Sequence, residues 1–362
     1  MHTNAQNPSD RPPLPREAVR RLTAYTPGEQ PSDWNIIKLN TNEFPYPPAP
    51  EAIEAVRREA AETLRRYPNP TSAPLRKALA EEFDVEPARV FVGNGSDEIL
   101  RLIVQAYAGP GDALAITDPT YSLYPVLADM FEVRVETHAT DDEGALPESL
   151  FGTRARLILV GNPNPPLGAQ YSLAEMERLA DLRESLVLID EAYVAFAPLD
   201  CMDLARRRPN VVVARTFSKS HGLAGMRVGY AVGHPGVIAA LDKIRDSYNV
   251  NRVSQAAALA ALRSKDYYAA KVREMVQTRE RLREALLGLG CRVPRSAANF
   301  LFARCGDGRR LLDALRERRI LVRCFDQDGL RDGCRISIGT PRETDALIEA
   351  LRHILPFPEA RP

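Results

Sequence analysis

The chain has no excess charge of either sign: 48 Lys+Arg balance 48 Asp+Glu, for a formal net charge of zero. A balanced surface gives no global field to gather nucleic acid or an anionic membrane, so neither is expected as a partner. No apolar run approaches the roughly 20 residues needed to cross a bilayer. The opening residues 1–16 are polar and proline-rich and lack the apolar stretch of a secretion signal. They read as a disordered or loosely attached arm. Cysteine is scarce, with five in 362 residues. Cys201, Cys291, Cys305, Cys324 and Cys334 form no CxxC pair and are odd in number, which reads as scattered free thiols of a reducing, cytoplasmic setting. The five histidines are scattered too, and no metal site is expected.

What is present is the composition of an ordinary folded protein, long enough for two domains. Four continuous β-branched runs, 113–117, 156–160, 186–189 and 211–214, predict strands buried on both faces. Amphipathic stretches at 98–108 and 173–184 lie between them, so the first part predicts an α/β domain with a mainly parallel sheet flanked by helices. After about residue 246 the texture changes. An Ala-rich stretch at 254–263, a long charged helix at 267–289, strands at 299–303 and 334–338 and helices at 309–318 and 343–354 predict a smaller α+β domain. The expected division is an arm (1–16), an N-terminal segment packing with the small domain (17–48), a large domain (49–246) and a small domain (247–362).

Four loops follow predicted strands, and ligands of open α/β sheets sit at the carboxyl ends of strands. In Gly93–Asp112 a Gly-rich turn leads into a helix at Ser96, whose first N–H groups suit a phosphate; Ser96 serves equally well as a plain N-cap. In Val187–Phe196, Asp190 ends an apolar strand, where a carboxylate is costly unless paired. A protonated pyridine nitrogen would pair it; capping the next helix is the plainer alternative. Tyr193 lies three residues on. In Thr216–Tyr230, Thr216 and Ser218 supply hydroxyls beside Lys219, and Arg227 is placed to grip a phosphate bidentately. A lysine among such groups is able to work as a neutral amine and form a Schiff base. In Asp118–Pro125, Tyr121 suits stacking on a flat ring or simple packing.

Taken together these loops resemble those of the fold-type-I pyridoxal-phosphate aminotransferases, in particular the histidinol-phosphate aminotransferase branch. The pattern S-K-x(5)-G-x-R-x-G is met by Ser218, Lys219, Gly225, Arg227 and Gly229, with Asp190-Glu191-Ala192-Tyr193 upstream. The resemblance spans about residues 20–355. It implies pyridoxal 5'-phosphate as cofactor, Lys219 as its Schiff-base lysine and later the general base, Asp190 as partner of the ring nitrogen and Tyr193 as donor to the ring's phenolic oxygen. It further implies that Ser96, Asp97, Ser218 and Arg227 hold the phosphate and that Tyr121 stacks on the ring. Tyr67 would be lent across a homodimer to the neighbouring site. One departure stands out. The family reads N-P-N-N-P-T-G where this chain has Asn162-Pro163-Asn164-Pro165-Pro166-Leu167-Gly168. Pro165 replaces an asparagine that bonds the phenolic oxygen, and Asn164 is the nearest substitute.

The ends of the chain bear on the substrate. Leu39–Pro48, with Asn42, resembles the branch's L-N-x-N-E-x-P segment, and Tyr25 falls at a substrate-contacting tyrosine. Arg335 in RISIGTPRE matches the arginine that binds the substrate's anion, and Arg323 adds a second cation. Two arginines suit a phosphate dianion better than one carboxylate. The implied reaction passes the amino group of L-histidinol phosphate to 2-oxoglutarate, as in histidine biosynthesis. An aromatic amino-acid aminotransferase and a phosphothreonine decarboxylase-like enzyme remain open on the same fold. So does a non-catalytic sugar- or nucleotide-binding protein.

Overall fold

The structure is a computed structural model, and it describes residues 14–22, 28–33 and 35–355. In chain order the first elements are α1 (Glu17–Arg21), β1 (Ile37–Lys38), α2 (Pro50–Glu62), α3 (Ala73–Glu82), β2 (Val90–Gly93), α4 (Ser96–Tyr107), β3 (Ala113–Asp118), α5 (Leu123–Met130) and β4 (Arg134–Ala139). There follow β5 (Leu157–Gly161), α6 (Leu173–Ala180), β6 (Leu186–Asp190), α7 (Met202–Arg207), β7 (Val211–Thr216), β8 (Gly229–Val232), α8 (Pro235–Ile244) and α9 (Arg252–Arg263). The last are α10 (Lys265–Gly288), β9 (Phe300–Arg304), α11 (Gly308–Glu317), β10 (Ile320–Leu321), β11 (Arg323–Cys324), β12 (Gly333–Ser337) and α12 (Pro341–Ile354).

The main sheet has the order β2-β8-β7-β6-β5-β3-β4, and all its neighbours are parallel except β8, which runs antiparallel to both β2 and β7. The four predicted buried runs are β3, β5, β6 and β7, and β5, β6 and β7 are buried at every position. Helices cover both faces, as a parallel sheet requires. Hydrophobic side chains split into two clusters accordingly: Ile158, Val160, Val187, Ile189 and Val213 face one way, and Leu157, Leu159, Leu188 and Val212 the other. That alternation is the period-2 pleat acting on a continuous apolar run.

Register gathers the candidate loops. Asp190 pairs with Gly161 and Ala214, and Thr216 pairs with Gly229, which pairs with Gly93. The loops after β2, β6 and β7 therefore open along one edge of the sheet, as the strand-end rule for open α/β sheets expects.

The second unit contains the antiparallel sheet β11-β12-β9. The N-terminal segment reaches it twice: β1 pairs in parallel with β10, and the Ser337 amide donates to the Leu39 carbonyl at 2.9 Å. Helix α12 begins with a capping box between Thr340 and Glu343, which satisfies two N–H groups that the helix itself leaves open. Helix α9, placed by sequence in the small domain, packs instead on α2 and α3. Its buried Ala257, Ala258 and Ala261 allow the close approach.

The expectation of scattered free thiols is corrected. Cys324 and Cys334 stand opposite each other on β11 and β12, and Cys291 and Cys305 flank the Arg292–Arg304 bridge. Both pairs form disulfides, with Cα atoms 4.4 and 4.6 Å apart, and among the described residues only Cys201 is free. Cysteines 14 and 10 residues apart in sequence are cross-strand neighbours, a pairing that spacing alone does not reveal.

Candidate active site

The cavity at the sheet edge is lined by residues of the second and third loops, of α4 and of β11 and β12, with Lys219 at its centre. The Lys219 Nζ donates to the Thr41 carbonyl at 3.1 Å and lies 5.9 Å from the Tyr193 ring. Burial pulls its pKa down to about 8, and the Arg335 and Arg227 cations push the same way against Asp97 and Glu43. Such an amine is neutral in a far larger fraction near physiological pH than an ordinary lysine, and the neutral form is the one that attacks a carbonyl.

Asp190 is the last residue of β6 and is buried. Its carboxylate accepts from the Tyr124 hydroxyl at 3.0 Å and from the Ala192 amide at 3.1 Å. Burial raises its pKa to about 6, although both hydrogen bonds oppose the shift. A buried carboxylate facing a cavity favours a cationic N–H partner. Behind it Glu191 pairs with Arg215 at 2.7 Å, both buried.

The wall of the cavity that holds Ser96, Asp97 and Arg227 lies where α4 begins. Gly95, at φ +77°, is the N-cap, and Ser96 and Asp97 supply the first turn. A Cβ on Gly95 would lie 2.6 Å from the Arg227 Nη2, and one on Gly229 would lie 2.5 Å from the Ser96 amide. Only glycine permits this closeness, and it leaves the helix N–H groups and the guanidinium converging. Arg227 sits at a left-handed φ of 53°, donating to Ser218 Oγ at 3.4 Å and to Asp97 at 3.1 Å. Tyr121 lines the same wall, its hydroxyl 3.3 Å from Asp97.

At the opposite wall Arg323 and Arg335 face each other across β11 and β12, with the Phe325 ring 5.8 and 5.6 Å from their guanidinium carbons. Arg335 also donates to the Asn40 carbonyl at 3.1 Å and lies over Phe300. Like charges directly opposite on a sheet are unfavourable, and an anion between them relieves the repulsion.

Not every expected residue joins this group. Asn164 is fully buried, but its amide donates to the Pro119 carbonyl at 2.9 Å and its oxygen accepts from Thr120. It holds two loops together and does not line the cavity, where Pro165 and Pro166 stand instead. Tyr67 is 76% exposed, stacks on Tyr248 and does not line the cavity. Asn42 lines the cavity, but its side chain is bonded to Tyr193 and Ser337. Tyr25 lies outside the described residues. Sequence reasoning missed Tyr124 and Thr41. Tyr124 lies in the first turn of α5, and only the fold shows that its hydroxyl meets Asp190.

A family model described as aminotransferase class I and II matches residues 35–351. The chain belongs to that family. The aminotransferase is 45% identical to a histidinol-phosphate aminotransferase of Chromohalobacter salexigens, over 93% of this chain and 97% of that one. It is 44% identical to a protein of the same name from Geobacter sulfurreducens, over 94% and 99%. Among solved structures it resembles the Sinorhizobium meliloti histidinol-phosphate aminotransferase in complex with pyridoxal-5'-phosphate, at TM-score 0.86 and 27% identity over 96% and 98% of the two chains. An aspartate aminotransferase of Thermus thermophilus with maleate shares the fold at TM-score 0.77, 23% identity and 88% and 92% coverage.

Proposed function

We propose that this aminotransferase uses pyridoxal 5'-phosphate to move the amino group of L-histidinol phosphate to 2-oxoglutarate. The observation that carries the reading is the convergence on one cavity of a lowered-pKa amine, a buried acid, a helix N-terminus with a guanidinium, and a second pair of guanidiniums opposite. Gly95 and Gly229, where a Cβ would collide with Arg227 and with the Ser96 amide, allow the start of α4 and the guanidinium to come as close as a shared phosphate needs, and the buried Asp190 fits a protonated ring nitrogen.

In this reading Ser96, Asp97, Ser218 and Arg227 hold the cofactor phosphate, Tyr121 covers one face of the ring, Asp190 holds the proton on the ring nitrogen and Tyr193 faces the ring oxygen. When bound, the cofactor supplies an electron sink for the carbon from which the proton leaves. Lys219 takes that proton on Nζ and returns it one position away, a transfer that needs its neutral form. The Thr41 carbonyl, 3.1 Å from Nζ, fixes where the amine waits. Arg323 and Arg335 bind the phosphate of histidinol phosphate, and in the second half-reaction a carboxylate of 2-oxoglutarate. Tyr67 reaches the site of the other subunit in a homodimer. Residues 49–246 with α9 form the cofactor domain, and α10, α11, α12 and β9 to β12 form the smaller lobe.

Donor specificity decides between the readings. The expected outcome is a kcat/KM for histidinol phosphate far above that for phenylalanine, with no carbon dioxide released from phosphothreonine. Faster turnover of phenylalanine would identify an aromatic aminotransferase on this scaffold.

A further inference from the structure

We infer that Asn42 is a positioning residue that fixes which way the Tyr193 hydroxyl points its proton. Four hydrogen bonds carry the inference. The Asn42 backbone N–H donates to Ser337 Oγ at 2.8 Å, and Ser337 Oγ donates to Asn42 Oδ1 at 3.0 Å. The Asn42 Nδ2 lies 3.0 Å from the Tyr193 hydroxyl, and Asn299 donates to the Asn42 carbonyl at 3.0 Å. Asn42 and Ser337 are buried, with 1% and 3% exposure, so water does not substitute for these partners.

One pattern satisfies every donor. A backbone N–H only donates, so Ser337 Oγ accepts from it. The serine hydrogen goes to Asn42 Oδ1, and Asn42 Nδ2 donates to the Tyr193 hydroxyl. Tyr193 accepts from Asn42, so its own hydrogen is directed to a different group. The left-handed φ of 55° at Asn42 holds backbone and side chain in position for this pattern, a conformation that asparagine tolerates better than most residues.

Pro165 and Pro166 line the cavity, and neither has a side-chain donor. On the reading proposed above, on which this inference rests, Tyr193 is the donor to the ring oxygen of the bound cofactor, and Asn42 with Ser337 keeps it a donor. Among the groups around Tyr193 are Lys219, 5.9 Å from its ring, Asn42, and Phe300 edge-on at 5.0 Å. The relay also links three segments: Asn42 in the N-terminal segment, Tyr193 after β6, and Ser337 on β12.

The test is a pH titration of the visible absorbance of the purified holoenzyme. A donor to the ring oxygen favours the proton-poor form of the lysine-bound cofactor, so a misdirected donor raises the midpoint. Asn42→Ala is expected to raise it by about 0.5–1 unit, the scale of one hydrogen bond. Tyr193→Phe should raise it at least as far, and adding Asn42→Ala to Tyr193→Phe should add nothing. Ser337→Ala, which releases the amide to rotate, should move the midpoint in the same direction and serves as the test if Asn42→Ala does not fold. An unchanged midpoint in the folded variants, or full additivity on Tyr193→Phe, overturns the inference while leaving the cofactor assignment intact. Absence from the wild type of any visible band that Lys219→Ala abolishes overturns the cofactor assignment and this inference together.

Discussion

At the scale of single residues the site works by holding ionisable groups in forms they would not take in water. Lys219 is the clearest case. Its pKa falls from 10.5 to about 8, with burial the largest cause. A lowered lysine pKa means that the folded state binds fewer protons than the unfolded chain between those two values. Stability of the cofactor-free protein therefore rises as pH increases from about 8 toward 10.5, and the cost of the buried charge is fully present below about 8. Lys219→Met should remove that dependence. Denaturant titrations at pH 7 should find the cofactor-free methionine variant more stable than the wild type, with the gap closing at alkaline pH; a gap that does not depend on pH contradicts the assignment. Asp190 carries the opposite shift, up to about 6. Asp190→Asn keeps the shape but cannot hold a proton on a ring nitrogen. Turnover should fall by orders of magnitude while cofactor binding partly survives, and near-normal turnover would remove Asp190 from its role.

At the scale of elements, the cradle depends on how closely β8 approaches the start of α4. Gly229 begins β8 at the point where β2 and β7 flank it, and its missing side chain makes room for the Ser96 amide. Gly229→Ala forces backbone atoms apart, so α4 must shift. Cofactor affinity, read by equilibrium titration of the cofactor-free protein, should fall at least about tenfold, the effect of losing one good charged hydrogen bond or more. Unchanged affinity would mean that the first turn of α4 does not hold the phosphate. The strands behind this geometry were legible in the sequence, because β3, β5, β6 and β7 are continuous apolar runs. β4 and β8 were not: β4 is largely solvent-facing, and β8 is a short run, GYAV, hidden in a Gly-rich loop. Of the site, Lys219 and Arg227 were legible because their loop combines Gly, hydroxyl and charge, and Asp190 because a carboxylate ends an apolar strand. Tyr124 and Thr41 were not, since a fully buried tyrosine and a backbone carbonyl leave no pattern that differs from ordinary packing.

At the scale of the whole molecule, the N-terminal segment spans both units, pairing β1 with β10 and placing Asn42 beside Tyr193. Sequence suggested this segment only through its similarity at Leu39–Pro48, because contacts across about 300 residues have no local signature. The exposed Tyr67 and its partner Tyr248 fit the proposed loan across a homodimer. Mixing Lys219→Ala and Tyr67→Ala proteins tests it. In a hybrid dimer with shared sites, one site combines both defects and the other has none. Random re-assortment should then restore activity toward about a quarter of the wild-type level, a binomial expectation for a two-fold dimer. If Tyr67 serves its own subunit, no activity returns.

The central claim is that Lys219 binds an aldehyde cofactor through its side-chain amine. Borohydride reduction of the purified protein, followed by proteolysis and mass spectrometry, reads this directly. The account predicts one phosphopyridoxyl adduct, on the peptide that contains Lys219, and its loss in Lys219→Ala. An adduct on a different lysine, or none on protein saturated with pyridoxal 5'-phosphate, would contradict it.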